Sequence, residues 1–142
     1  MTMPDDMRAY NRQVIEEFRA NGGVLGGPFA GGDMLLLTTT GARSGDPHTA
    51  PMMFKEHGDR LLVIASNSGA PQHPDWYRNL AADRAVTVER GDERFEATAR
   101  TTEGNERAAL WADLIQSHPF FVQHQEGTSR EIPLVLLERR VP

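Results

Sequence analysis

The chain has 142 residues with no cysteine and a formal net charge of −5. That length suits one domain whose core needs no covalent or metal staple. The missing cysteines exclude disulfides, thiolate metal sites and a cysteine nucleophile, and the acidic balance excludes broad nucleic-acid binding, which needs a basic surface.

The segment Met1–Asp6 lacks the basic-then-apolar layout of a secretory signal. No apolar run approaches the roughly 18 residues of a membrane span. The expectation is a soluble cytoplasmic protein without integral membrane contact. Asp5 and Asp6 sit where helix caps belong, and Met7, Tyr10, Val14 and Phe18 follow at helical spacing. Gly22-Gly23 should end that helix near Asn21. Its acids Asp5, Asp6, Glu16 and Glu17 offset Arg8, Arg12 and Arg19, so anionic lipid should attract it little. A Gly-rich connector follows, Gly26-Gly27-Pro28 and Gly31-Gly32. Residues 1–32 thus read as helix and connector, and 33–142 as the main body of a single domain.

Strands are predicted over Asp33–Thr40, Thr49–Glu56 and Arg60–Ser66, the last two joined by His57-Gly58-Asp59. After the Gly/Pro-rich patch Ser68–Pro74, Asp75–Ala82 reads as a short helix. Ala85–Arg90 and Glu93–Thr102 alternate as a second hairpin across Gly91-Asp92. A helix is predicted from about Asn105 to His118, with Leu110, Trp111, Leu114 and Ile115 inward and Pro119 closing it. Phe120–Gln125 can add another helical turn, and Ile132–Glu138 is a strand apolar on both faces. About six hairpin-connected strands with flanking helices make an α+β protein, its antiparallel sheet curled into a barrel to protect its edges.

The most informative stretch is Thr38-Thr39-Thr40-Gly41-Ala42-Arg43-Ser44-Gly45. Glycines let backbone N–H groups converge on an anion, and Arg43 offers a forked pair of charged hydrogen bonds. Without the Gly-Lys-Ser/Thr ending it is not a Walker loop. It reads as an anion cradle or as a hairpin turn with a solvated arginine. In Ser66-Asn67-Ser68-Gly69 small residues permit close approach of a planar ligand. Beyond them Trp76 suits an apolar wall or a core anchor, and Asn79 a ligand amide or a local cap. His48, His57, His73, His118 and His124 form no metal-ligand pattern, so no metal is expected. His118, Phe121 and His124 share a three-residue spacing and would line one side of a helix continuing through Pro119.

Taken in order, these pieces resemble the deazaflavin-dependent nitroreductase family, reductases that use reduced coenzyme F420. The match runs from about Phe18 to Glu138: Phe18-Arg19-Ala20-Asn21-Gly22-Gly23, Gly26-Gly27-Pro28-Phe29, the Thr-Thr-Thr-Gly-Ala-Arg-Ser-Gly turn, Ala65-Ser66-Asn67, His73-Pro74-x-Trp76-Tyr77-x-Asn79-Leu80 and Arg130-Glu131-Ile132-Pro133. The resemblance implies a split β-barrel of the FMN-binding type with the coenzyme in a groove. Ala42, Arg43 and Ser44 would face its phosphate. His48, Thr49, Ala50, Pro51, Met52 and Met53 would run beside the deazaflavin. Ala65, Ser66 and Asn67 would meet the ring edge, and Asp75, Trp76, Tyr77 and Asn79 would close the other wall.

By the same resemblance, hydride passes to a small conjugated acceptor such as a quinone, enone or unsaturated lactone. Ser66 would polarise the acceptor oxygen, His118 or His124 would relay a proton that solvent can equally supply, and Met53 and Phe121 would line the substrate pocket. Relatives often carry two cations in the turn where this chain has Ala42-Arg43, and nitroimidazole-reducing members carry tyrosines at the positions of Met53, His118, Phe121 and His124. Related split barrels often form homodimers. FMN or haem in the same barrel, or a non-catalytic F420 carrier, are the rival expectations.

Overall fold

A computed structural model describes residues 3–25 and 33–140, so the expected Gly-rich connector lies outside the described residues. Helix α1 (Met3–Ala20) starts before the Asp5-Asp6 pair and ends where expected, the Gly23 N–H closing on the Phe18 carbonyl at 2.8 Å. Four residues per side-chain repeat put Val14 and Phe18 on one face, where they are buried against Leu25 and Leu36. Arg19 fixes the helix end with a two-pronged pair to Glu89, at 3.0 and 2.8 Å.

The strands are β1 (Met34–Thr40), β2 (Pro47–Met53), β3 (Lys55–His57), β4 (Arg60–Ile64), β5 (Ala85–Arg90), β6 (Glu93–Thr101) and β7 (Leu134–Arg139). Among the described residues they form one seven-stranded sheet in the order β2-β1-β5-β6-β7-β4-β3, every pair antiparallel. The single strand expected over Thr49–Glu56 is therefore two. β2 pairs with β1 and β3 with β4, at opposite ends of the strand order, although only Phe54 separates them in the chain. A sheet whose two end strands are joined by one residue has to curl on itself. The result is the α+β split barrel, with Phe54 buried at its corner.

The two faces of the sheet follow from side-chain alternation. Leu35 and Leu37 of β1 point into the barrel with Leu61, Val63, Val86, Val88, Ala97, Ala99, Val135 and Leu137. Helix α2 (Asp75–Ala82) adds Leu80 to that interior. On the outside, Leu62, Ile64, Leu134 and Leu136 are covered by Leu110 and Leu114 of α3 (Gly104–Ser117) and Phe121 of α4 (Phe120–Glu126). That is why β7 is apolar on both faces. Each such buried leucine contributes about 1.5–3 kcal/mol relative to exposure. No helix among the described residues is long and apolar enough to cross a membrane.

The late helix does not continue through Pro119. Helix α3 stops at Ser117, His118 leaves helical geometry with φ −134° and ψ 68°, and α4 begins at Phe120. Proline removes the N–H that would extend α3 and disfavours helical backbone at the residue before it.

Candidate functional site

The turn between β1 and β2 is held from within. The Gly41 N–H donates to the Asp46 carbonyl at 2.8 Å, and the Gly45 N–H to the Gly41 carbonyl at 2.9 Å. The Asp46 N–H donates to Ser44 Oγ at 3.1 Å, and the Ala42 N–H to Asn79 Oδ1 at 3.0 Å. What remains for a ligand is the pair of amides at Arg43 and Ser44, the Ser44 hydroxyl and the Arg43 guanidinium. Arg43 has no carboxylate partner among the described residues, whereas Arg19, Arg60, Arg90, Arg100, Arg107 and Arg139 all do. A Cβ at Gly41 would lie 2.5 Å from Ser44 Oγ and 2.8 Å from His48 Nε2, so both side-chain ends would have to move aside. The turn thus draws Ser44 and His48 in over its own backbone, their side chains 3.4 Å apart.

This turn forms one wall of an open groove of about 590 Å³. Ala42, Arg43, Ser44, His48, Thr49 and Ala50 line it from the turn and β2, and Asp75, Trp76 and Asn79 from α2, as the sequence suggested. Arg78 of α2 also lines it, and so does Asn11 of α1, which was not anticipated because nothing local in the sequence says that α1 reaches the groove. Farther along β2, Pro51, Met52 and Met53 stay half-buried, and no residue of this strand is fully covered. Met52 packs on the barrel core with Trp76 and Tyr77. Trp76 is therefore both a core contact and a groove wall.

Two expected ligand contacts face the protein instead. The Asn79 amide is buried, its nitrogen donating to Thr39 Oγ1 at 3.1 Å while its oxygen takes the Ala42 N–H. The Tyr77 hydroxyl bonds Thr101 Oγ1 at 3.2 Å. Both brace the groove from behind. A second groove of about 610 Å³ lies elsewhere, lined by Asp33, Asp92 and Glu93 with Arg90, whose charge is already taken by Glu56. Its sign is wrong for a phosphate, which leaves the Arg43 groove as the candidate anion site.

The loop after β4 is built differently. Ala65 and Ser66 are buried, and Asn67 adopts a left-handed φ of 48° with its amide donating to the Gln72 carbonyl at 3.0 Å. Arg130 grips the loop from the far end of the chain. Its guanidinium donates to the carbonyls of Ala70 at 3.0 Å, Ala65 at 3.1 Å and Ser66 at 2.7 Å, and meets His73 Nδ1 at 3.1 Å. Burial holds the Arg130 pKa below its ordinary value, and burial with the charges of Arg130 and Arg78 lowers that of His73.

The aromatic group near this loop comes together despite the break in the helix. Phe121 is only 3% exposed, within the outer core where Met53 also packs, and its ring lies 6.3 Å from that of His118 and 5.5 Å from that of His124. His118 Nδ1 bonds Ser117 Oγ at 2.8 Å, while His124 Nδ1 is buried with no hydrogen-bond partner among the described residues. Gly69, at φ +79°, lies against the backbone of His124 and so joins the two segments.

The fold is a split barrel whose groove has an arginine without a carboxylate partner among the described residues on one wall and a tryptophan on the other. The chain belongs to the F420H2-dependent quinone reductase family, whose profile matches residues 10–139. An F420H2-dependent quinone reductase of Mycobacterium tuberculosis is 35% identical over 127 residues, covering 87% of this chain and 85% of the relative. A solved F420-H2 dependent reductase, FDR-A, superposes with a TM-score of 0.67 at 37% identity, covering 75% of this chain and 94% of its own. A chain described as a domain-swapped dimer gives 0.70 at 35% identity, covering 95% and 99%. The protein is accordingly an F420H2-dependent oxidoreductase, with coenzyme F420 as its cofactor.

Proposed function

We propose that the groove holds coenzyme F420 with its phosphate on Arg43 and Ser44 and its deazaflavin beside β2, and that a quinone or similar conjugated small molecule is the acceptor. The observation that carries this reading is the turn itself: Arg43, without a carboxylate partner among the described residues, and Ser44 line the groove, while the amides of Gly41, Ala42, Gly45 and Asp46 are bonded internally. A guanidinium, a hydroxyl and free amides suit a phosphate in charge and donor type. When bound, the reduced coenzyme supplies a hydride to an electron-poor carbon of the acceptor.

The residues around it orient the reactants and exclude water. Trp76, backed by Met52 in the core, makes an apolar wall, and Thr49 and Ala50 present small side chains along β2. His48 stands beside Ser44 at the phosphate end of the groove. Ala65, Ser66 and Asn67 face the ring edge, where the Ser66 hydroxyl polarises the acceptor oxygen. Met53 and Phe121 back the acceptor, and His124, its Nδ1 unbonded, relays a proton, with His118 beside it. Assembly as a homodimer is supported by the relative described as a domain-swapped dimer.

Titration of the tryptophan fluorescence with F420 and FMN in parallel, followed by turnover with menadione, tests this reading. F420 should quench, Trp76→Phe should remove most of the quench, and menadione should be reduced. Binding of FMN alone overturns it, and F420 binding without turnover of any acceptor points to a carrier.

A further inference from the structure

We propose that Arg130 is a positioning residue for the reaction: by gripping the carbonyls of Ala65, Ser66 and Ala70 it holds the loop after β4 in the conformation that presents Ser66 and Asn67, and it does so only with His73 neutral. The inference rests on the reading that this loop meets the reactants.

An arginine with a carboxylate partner neutralises charge, but one whose partners are carbonyls fixes backbone. Arg130 is of the second kind. Nε and both Nη nitrogens reach four acceptors spread over residues 65–73, and no carboxylate pairs with it among the described residues. A planar fork with fixed donor directions is suited to that task, and a lysine's single nitrogen is not. The loop needs such a grip because it contains two left-handed residues, Asn67 at φ 48° and Gly69 at φ 79°. Asparagine there is tolerated but is not a conformation the free chain favours.

The same segment reaches α4. Gln125 Nε2 donates to the Arg130 carbonyl at 2.7 Å and Gln125 Oε1 accepts from the Ile132 N–H at 3.0 Å, which ties the helix carrying His124 to the arginine's own backbone. Arg130 therefore registers two groups of candidate residues, Ser66–Asn67 and His124, against each other.

His73 makes the grip sensitive to acid. A guanidinium has no acceptor, so His73 Nδ1 accepts and the ring's proton is on Nε2. The groups facing this ring are the cations Arg130 and Arg78 and the Tyr77 ring 4.9 Å away. The neighbouring carboxylate, Asp75, pairs with Arg78 at 3.7 Å. Protonating His73 removes the acceptor and sets a second cation against Arg130, loosening the loop from that side.

Three measurements test this on the full chain. In Arg130→Lys, kcat with menadione should fall by about tenfold or more while the F420 dissociation constant moves less than about threefold, since the phosphate is held at Arg43. Circular dichroism melting follows folding in parallel. In the parent protein kcat should decline only at a pH below the ordinary histidine value of about 6.5, because burial and the charges of Arg130 and Arg78 keep His73 neutral further into acid. His73→Asn, which keeps an acceptor at the Nδ1 position but cannot take a proton, should bring the ratio of kcat at pH 5.5 to that at pH 7.5 toward one. A folded Arg130→Lys with parental kcat overturns the proposal, as does an acid decline that persists in His73→Asn. If Arg130→Lys fails to fold, the His73→Asn profile decides alone. Failure of the coenzyme reading is distinct, because it shows as absent F420 binding in the parent protein.

Discussion

Two strand-end loops border the candidate site, and each is served by one arginine used in an opposite way. At the turn after β1, Arg43 is exposed and has no protein partner among the described residues. At the loop after β4, Arg130 is half-buried and bonded to three carbonyls and an imidazole. An unpartnered cation on a braced turn is free to bind something from outside, whereas a cation saturated by backbone holds the molecule's own shape. The residue type is the same and the difference lies in what the fold leaves for it.

Glycine replacements in the two loops should break along that line. Gly69→Ala combines a left-handed φ with a Cβ 2.9 Å from the His124 carbonyl oxygen and 3.2 Å from its Cα, and backbone cannot swing aside. A loss of about 2–4 kcal/mol is expected, read as a clear drop in melting temperature. Gly45→Ala has φ +74° but nothing within 4 Å, so only the conformational cost of about 1 kcal/mol applies. Equal losses would contradict the contrast. Asn79→Ala falls between them. It leaves the buried Thr39 hydroxyl and the Ala42 amide without their partner, which should cost about 1–3 kcal/mol and also weaken F420 binding by loosening the turn. A melt and a fluorescence titration of the same variant read both effects.

Much of this was legible in the sequence because it is local. Periodicity marks α1, both hairpins and the doubly apolar β7, while the glycines and Arg43 of the turn offer an anion cradle or a hairpin turn with a solvated arginine. The break at Phe54 was not legible, because apolar residues run through it and only closure of the whole sheet separates β2 from β3. The polar ends of Asn79 and Tyr77 turn to Thr39, Ala42 and Thr101, partners more than twenty residues away that no local pattern could indicate. Arg130 had been noted only as the opening of the last strand. Its grip on Ala65 spans the whole second half of the barrel, and no spacing rule connects residues so far apart.

The claim on which the account turns is that Arg43 anchors the coenzyme's phosphate. Equilibrium titration of the parent protein and Arg43→Ala with F420, and with the deazaflavin riboside that lacks the phosphate, measures it most directly. Loss of a charge-assisted pair of hydrogen bonds, about 1.5–3 kcal/mol, should weaken F420 binding roughly 10- to 100-fold and leave the riboside's affinity unchanged. Equal affinity of Arg43→Ala and the parent protein for F420 would contradict the account.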